Sequence, residues 1–495
     1  MTSVLPPSVT ASVATQEVSR RPRRVTMLHP WRGPAPDPVT DPEGARALQF
    51  ATVRYVAGLF GAMVLLQRFT SVVLPEVSIL VALVPAWLVW GMLRGLVVVD
   101  RTRLMLWMAA AGSAALVIPA QNRFVQHPII SVTAWGLMFA VWLPAVAVLK
   151  DRRRATYVMM LRHVAWIAVA LAIGCLAFIG SQLVGVPYTD YLAEAVPAPL
   201  LLQEFVITYP IVYGSDLYRA NAWIGLEPSF VSMQLGLGLI AAFLSGTRLR
   251  MLVLIGAGLV AATAGSGLAI MAVAFVVMLG YPVRNNLVRY LPLAVAGVVA
   301  LVVTPFGQAI LSRLTEAGEE QSSTSLRGIL PYTYMWPRWV YDPMAVLLGR
   351  GPGSSQKVVA DSGILGLLTP TPVKIFVEYG VIVGLIVAGC LLFAYVGGPS
   401  RSLSVTMLVS LWMLQPGTTA MIAVLPLFIT TTWWAPRFEP VLESDSATFA
   451  AARGWVERAG RWRPGQTVST WRLGRRVTRN PVRSKSPIDL RRSRS

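Results

Sequence analysis

Long apolar runs recur between residues 50 and 434 of this chain, and short charged stretches separate them. A helix needs about 20 apolar residues to cross the hydrocarbon core of a membrane, where only helices or closed barrels satisfy their backbone polar groups. The runs are too long and unbroken for barrel strands. With 55% hydrophobic and 13% charged residues, the 495-residue chain also differs from soluble domains. We therefore expect an all-α polytopic membrane protein.

The apolar runs predict about 12 transmembrane helices between a disordered cytoplasmic arm, residues 1–49, and a basic cytoplasmic tail, residues 435–495. The predicted spans are 50–67, 73–93, 104–120, 128–149, 164–186, 229–245, 250–264, 267–283, 288–305, 372–396, 402–414 and 418–434. The small residues Thr263 to Gly267 would form a tight outer turn between the seventh and eighth spans. The alternative is one long kinked helix there.

The positions of basic residues give an independent prediction of orientation, because Lys and Arg near helix ends stay on the cytoplasmic side. With 12 spans, the basic clusters all fall on one side: Arg20 to Arg24, Arg94 to Arg103, Lys150 to Arg162, Arg248 and Arg250, Arg284 and Arg289, and Arg401. Both termini are then cytoplasmic. Two long loops, residues 187–228 and 306–371, face outward, and we expect short amphipathic helices in the second.

The net charge of +20 does not indicate nucleic acid, because much of the excess is local. Residues 451–495 carry 13 Lys or Arg against Glu457 and Asp489. Three tryptophans alternate with these arginines, so the tail could lie on an anionic leaflet, although a plain disordered tail explains it equally well. Membrane lipids are the expected partners.

Few residues suggest a metal or a disulfide. The two cysteines, Cys175 and Cys390, lie inside predicted spans, so a disulfide framework and a thiolate metal site are not expected. The three histidines, His29, His127 and His163, have no metal-ligand spacing. We therefore predict no metal site and no cofactor.

Four short stretches resemble motifs of the O-antigen polymerase and O-antigen ligase-like family of membrane glycosyltransferases. The first runs from Tyr218 to Phe230, with an arginine, a glycine and then Glu-Pro-Ser at a helix start. The second and third lie in the large outer loop, from Ser322 to Arg327 and from Leu348 to Gly353. The fourth is Phe376 to Gly380 in the next span. The large loop lacks the histidine of the ligase branch, which favours the polymerase branch.

This resemblance implies a metal-independent, inverting glycosyltransferase in a bacterial cytoplasmic membrane, without a cofactor. Its substrate would be a polyprenyl-diphosphate-linked oligosaccharide at the outer face, in the biosynthesis of exopolysaccharide or O-antigen-like cell-surface polysaccharide. A flippase or a chain-length regulator would be its protein partner. The alternatives from other classes are a carrier or exporter of lipid-linked or small polar molecules and a non-catalytic scaffold. A carrier would be expected to show inverted repeats and ionisable groups near the bilayer midplane, where the sequence has almost none.

The proposed chemistry assigns roles to charged residues of the outer loops. A leaving diphosphate needs cationic donors, preferably the bidentate fork of arginine, which makes Arg219 and Arg327 the candidates for catalysis. Both would have to approach the same diphosphate. Arg338 and Arg350 are candidates for substrate binding. For each arginine, an ordinary solvated loop charge is the alternative.

The acceptor hydroxyl must lose a proton, and Glu227 is the first candidate for the general base. The alternative is structural, because Glu227 and Pro228 also suit a helix start. Asp342, Asp361 and Glu378 are weaker candidates, and Glu378 could cap a helix or contact substrate.

Aromatic residues between 332 and 341 could stack on sugar rings, and Trp336 and Trp339 are the candidates for substrate binding. An interfacial aromatic belt is the alternative, since Trp and Tyr concentrate at membrane surfaces. The segment could also form a lid over the donor.

Overall fold

A computed structural model describes residues 41–71, 74–202, 207–211, 216–281, 290, 295, 297, 299, 302–303, 308, 329–364, 367, 369–395, 399–414 and 433. The described chain is mostly helical. The helices of its first half are α1 (Pro42–Leu65), α2 (Leu80–Leu93), α3 (Arg101–Leu116), α4 (Ile118–Phe124), α5 (Val132–Trp142), α6 (Arg154–Leu183) and α7 (Tyr191–Ala195). Those that follow are α8 (Pro228–Leu244), α9 (Leu249–Ala261), α10 (Gly265–Leu279), α11 (Leu330–Val340), α12 (Pro343–Leu348), α13 (Ser354–Ser362), α14 (Thr371–Tyr395) and α15 (Arg401–Leu414).

Four helical segments are long and apolar enough to cross a membrane, namely Pro42–Leu65, Arg101–Phe124, Arg154–Leu183 and Thr371–Tyr395. Other apolar helices of the described chain are shorter, α8, α9 and α10 among them. The expectation of a mostly helical chain with helices that could cross a membrane is therefore confirmed. The number of about 12 spans stays a prediction. The predicted spans 288–305 and 418–434 lie largely outside the described residues.

Short strands correct the expectation of an all-α chain. Strands β1 (Thr70–Ser71) and β2 (Leu74–Ser78) form one antiparallel pair, and β3 (Val97–Val99) and β4 (Ala147–Leu149) form another. The predicted spans 73–93 and 128–149 therefore each contain a strand. Proline explains both errors, because it removes a backbone donor and disfavours a helical residue before it. Pro75 lies in β2, and Pro144 lies in a 3-10 turn that leads into β4.

The first helix also begins earlier than predicted, inside the segment interpreted as a disordered arm. The side chain of Asp41 accepts a hydrogen bond of 2.9 Å from the backbone N–H of Gly44, and Pro42 occupies the first turn. Both features favour a helix start.

Residues 249–279 form two helices and not one kinked helix. Helix α9 ends at Ala261, and Thr263 has a φ of +48°, a value that a helix cannot contain. The backbone N–H of Gly267 then donates to Ser232 Oγ at 3.0 Å, which places the start of α10 beside the start of α8. The turn among small residues is thus where the sequence predicted it.

The described helices form a bundle with two ends, which we call the loop end and the basic end. At the loop end lie the starts of α8 and α14, the end of α6, and residues 187–202 and 342–364. At the basic end lie the β3–β4 pair and the starts of α1, α3 and α6. There Arg103 donates to the carbonyl oxygens of Ala145 and Ala394, both at 3.2 Å, and Arg153 donates to that of Ala45. Which end faces the cytoplasm stays a prediction.

Candidate functional site at the loop end

Arg219 lies in an extended segment that is fixed on both sides. The preceding residue, Tyr218, exchanges two hydrogen bonds with Gln182 at the end of α6, of 2.6 and 3.1 Å. The N–H of Arg219 donates to the carbonyl oxygen of Tyr209 at 2.9 Å, and its own carbonyl oxygen accepts from Thr208 Oγ1 at 2.8 Å. The backbone position of Arg219 is therefore set by the end of α6 and by residues 208–209.

The guanidinium of Arg219 is only partly satisfied. Its Cζ lies 5.8 Å from the centre of the Tyr209 ring, within the range of a cation–π contact. Its Nε is buried and has no hydrogen-bond partner in the described part of the chain. A buried donor without a partner costs free energy, and an anionic oxygen is the acceptor that would satisfy this one best.

The residues between Arg219 and Glu227 form a strained turn. Ala222 and Trp223 have φ values of +54° and +58°, in the left-handed region that non-glycine residues seldom occupy. The fully buried Asn221 holds this turn, because its Oδ1 accepts from the N–H of Trp223 at 2.9 Å. Strain of this kind persists where the surrounding contacts determine the conformation, and it is common at functional sites.

Glu227 is half-buried at the position directly before α8. Its side chain does not cap the helix but accepts a hydrogen bond of 2.9 Å from Ser229 Oγ. Pro228 occupies the first helical position, as the sequence predicted. The carboxylate is thus next to a hydroxyl on the same side of the bundle as Arg219.

A buried ion pair, which the sequence did not reveal, braces the same turn. Arg68, 2% exposed, binds both carboxylate oxygens of Asp190 at 2.7 and 2.6 Å and donates to the carbonyl oxygen of Trp223 at 3.2 Å. Burial alone would raise the pKa of Asp190, but the hydrogen bonds and the positive charge of Arg68 outweigh it and lower that pKa. In the sequence, the only indication of this ion pair was the position of Arg68 directly after the apolar run 50–67.

The glycine-rich stretch and the fourth motif meet at a break in α14. Gly380 has a φ of +69° and a ψ of −178°, so the helix is interrupted there and nearby carbonyl groups are released from helical bonding. The carbonyl oxygen of Val377 accepts from the N–H of Arg350 at 2.8 Å, and that of Glu378 accepts from the N–H of Gly351 at 3.1 Å. Two motifs of the resemblance are therefore in direct backbone contact.

Gln121 at the end of the third predicted span completes this contact. Its Nε2 donates to the carbonyl oxygens of Leu348 and Glu378, at 2.6 and 2.8 Å. A single amide thus joins α4, the end of α12 and the break in α14. No motif in the sequence indicated this role.

Glu378 lies deep in this unit, with no solvent exposure. Its Oε1 accepts hydrogen bonds from Lys374 Nζ at 2.7 Å and from Ser355 Oγ at 2.5 Å. Its Oε2 is buried without a partner in the described structure. Glu378 neither caps a helix nor lies at a surface that substrate could reach. Lys374 and Glu378 are four residues apart in α14, and this spacing was the available sequence signal for their pairing.

The structure brings Arg350 and Arg338 together at the surface of the loop end. Arg350 Nε donates to the carbonyl oxygen of Arg338 at 2.9 Å, and its Nη2 lies 3.8 Å from Asp342 Oδ2. Asp342 Oδ1 accepts from the N–H groups of Met344 and Ala345, which makes Asp342 a helix cap. Asp361 pairs with Lys357 at 3.2 Å on the exposed side of α13.

The two candidate tryptophans differ in location. Trp339 is 6% exposed, and its Nε1 donates to the carbonyl oxygen of Ala345 at 2.9 Å, inside a small core with Met335 and Val377. Trp336 is 44% exposed. Of the two, Trp336 is placed where a sugar could stack on its ring.

Arg327 lies outside the described residues, so the predicted approach of Arg219 and Arg327 stays a prediction. Comparison of the chain with protein-family models, with curated proteins and with solved structures finds no match. The resemblance to O-antigen polymerases therefore rests on the four motifs alone.

Proposed function

We propose that this protein is a membrane glycosyltransferase that elongates polyprenyl-diphosphate-linked glycans. The observation that carries the proposal is the guanidinium of Arg219, whose buried Nε has no partner among the described residues and which lies at the same end of the bundle as Glu227. A diphosphate supplies the anionic oxygens that such a donor needs. A cell-surface polysaccharide of the exopolysaccharide or O-antigen type would be the product, made at the outer face of a bacterial cytoplasmic membrane.

In the proposed reaction, the acceptor hydroxyl oxygen attacks the anomeric carbon of the lipid-linked glycan. The bond from that carbon to the diphosphate oxygen breaks, and polyprenyl diphosphate leaves with the bonding electrons. Arg219 stabilises the charge that develops on the diphosphate, and Arg327 is assigned the same role. Glu227 takes the proton of the acceptor hydroxyl. A single displacement inverts the configuration at the anomeric carbon.

The remaining candidates would bind the glycan. Arg350 and Arg338 lie together at the surface, and the exposed ring of Trp336 belongs to the same helix as Arg338. Glu378 would act indirectly, because its buried pair with Lys374 fixes the backbone that carries Arg350. Arginine donors suit the phosphate groups of this acidic, lipid-linked class of substrate.

The test is reconstitution of the purified protein into liposomes with a polyprenyl-diphosphate-linked oligosaccharide, in the presence of a chelator. Mass spectrometry then sizes the glycan products, and NMR reports the configuration of the new linkage. Arg219→Ala and Glu227→Gln are compared with Arg250→Ala, an exposed arginine at the basic end. Elongation that is the same in all three variants, or that stops with the chelator, would contradict the mechanism.

A second candidate function is transport of a lipid-linked or small polar molecule. The broken helix α14 favours it, because interrupted helices beside buried ionisable groups are common at carrier sites. The same liposomes separate the two functions. A carrier would move the labelled oligosaccharide across the bilayer without increasing its length.

A further inference from the structure

A groove on the side of the bundle lies between α1 and α6, far from the candidate catalytic residues. It has a volume of about 490 Å³, within the range of ligand sites. Its walls include Gly58, Gly61 and Ala170, and its polar residues are Arg54 and His163. Small side chains make the groove, because they leave room between two helices.

The two polar residues lie at the same level of the bundle. Arg153 at the start of α6 donates to the carbonyl oxygen of Ala45 in α1, which sets the register of two helices that both leave the basic end. Arg54 is nine residues beyond Ala45, and His163 is ten residues beyond Arg153. At about 1.5 Å per residue, both lie roughly 14 Å from that contact.

Arg54 is exposed at the surface of a helix that is apolar enough to cross a membrane. No described residue forms a hydrogen bond or an ion pair with its side chain. An unpaired arginine that faces hydrocarbon is costly in free energy. Its side chain therefore either extends to the membrane–water interface or binds an anionic partner. Bilayers supply that partner as lipid phosphate.

His163 adds a second polar group to the same end of the groove. Its Nδ1 lies 2.8 Å from the carbonyl oxygen of Met159, so Nδ1 carries the proton and donates. In the imidazolium form the other ring nitrogen, Nε2, also carries a proton and can donate it to an anionic partner. The apolar remainder of the groove, with Trp166 51% exposed, continues away from these groups toward the loop end.

We propose that this groove binds one anionic glycerophospholipid from the leaflet at the basic end. Arg54 and His163 hold the phosphate of the headgroup, and an acyl chain lies along Gly58, Gly61 and Ala170. Charge complementarity decides the occupant. A zwitterionic lipid brings a positive group beside Arg54, whereas phosphatidylglycerol brings none. Basic recesses between helices commonly bind anionic headgroups in this way.

The charge is tested with the full-length protein in nanodiscs that contain equal amounts of phosphatidylglycerol and phosphatidylcholine. Native mass spectrometry counts the phospholipids that stay bound after release from the disc. We expect wild type to retain phosphatidylglycerol in preference, and Arg54→Gln to reduce that retention about five-fold, as for one basic residue near anionic lipid. Arg101→Gln, a change of an exposed arginine outside the groove, should retain it. Equal retention by Arg54→Gln and wild type, or no preference between the two lipids, would overturn the proposal.

The shape of the groove is tested with Gly61→Leu, because a Cβ at Gly61 meets nothing within 4 Å. The new side chain should fill the groove and remove the bound lipid. Gly256→Leu is the matched control, at a helical glycine of α9 that is equally open. Bound lipid that survives Gly61→Leu would refute the acyl-chain position. Loss of the bound phospholipid on addition of polyprenyl phosphate would assign the groove to that lipid instead. A disulfide between two copies of a Trp166→Cys variant would assign it to a second copy of this chain. Thermal unfolding verifies that each variant is folded. If Gly61→Leu does not fold, the comparison of Arg54→Gln with wild type still tests the proposal.

Discussion

Gly349 and Gly380 cross so closely that a Cβ on either residue would collide with the backbone of the other segment. A Cβ on Gly349 would overlap the carbonyl group of Glu378, and one on Gly380 would overlap that of Leu347. Both glycines also have positive φ, at +81° and +69°. Two features thus require glycine at each position, and the crossing fixes the large loop against the break in α14.

Gly380→Ala should destabilise the protein by at least 1–3 kcal/mol, which is roughly the cost of a residue forced into a glycine-only conformation. The comparison is Gly389→Ala in the same helix, where a Cβ meets nothing within 4 Å. That change should be neutral or slightly stabilising, since alanine favours helix. Thermal unfolding in detergent measures both. Equal unfolding temperatures for the two variants would show that the crossing does not matter.

The buried pair of Lys374 and Glu378 should behave as a unit. Removing one partner leaves an uncompensated buried charge, so Lys374→Met or Glu378→Met alone should cost about 3–5 kcal/mol. The double variant should recover most of that loss, because it buries no charge. Unfolding of all four proteins gives the coupling free energy. Additive losses in the double variant would mean that the two side chains do not share the interaction seen here.

Asp190 should make stability depend on acid pH. Its pKa is lowered in the folded protein from an ordinary value of 3.8. The stabilisation is therefore complete above that value and is lost as the pH falls through the folded pKa. Asp190→Asn should lower the unfolding temperature most above a pH of about 4 and progressively less below it. Asp361→Asn, at an exposed pair, should change little at any pH.

The orientation of the bundle predicts opposite labelling of its two ends. In a protein with Cys175 and Cys390 replaced by alanine, Asp361→Cys at the loop end should react with an impermeant maleimide in intact cells. Arg101→Cys at the basic end should react only after permeabilisation. Both positions are exposed in the structure, so neither should be protected by burial. The reverse pattern would place the loop end in the cytoplasm.

Arg219→Ala should slow glycan elongation about 30- to 1000-fold, which corresponds to roughly 2–4 kcal/mol for a lost electrostatic contact in the transition state. Arg219→Lys should recover only part of the rate, because lysine keeps the charge but loses the planar fork. Single-turnover rates with a saturating lipid-linked donor separate this effect from binding. A full rescue by lysine would argue against a bidentate contact.

The length of the apolar runs predicted most of the long helices, because lipid leaves a long apolar segment little choice of backbone. The predicted turn near Gly267 and the helix start at Pro228 followed from local residue chemistry in the same way. The same argument from run length was wrong at 74–78 and 147–149, where residues inside apolar runs form strands. Apolar composition alone does not distinguish a strand from a helix over such short stretches.

The candidate site was predictable only in part, because its contacts join residues far apart in the chain. The motifs identified the segments around Arg350 and Glu378, but not that their backbones touch or that Glu378 is buried. Gln121 and Arg68 have no local signature. Their importance depends on carbonyl and carboxylate groups that only the fold brings within reach.

The contacts of Trp433 constrain the path of the chain through the bundle. Its Nε1 donates to the carbonyl oxygen of Pro144, its own carbonyl oxygen accepts from the N–H of Leu149, and its ring stacks on Tyr55. Position 433 is therefore beside β4, at the end where α1 begins. We therefore predict an even number of membrane crossings between Asp41 and Trp433. Reporters joined at Asp41 and directly after Trp433 would share one compartment, whichever compartment that is.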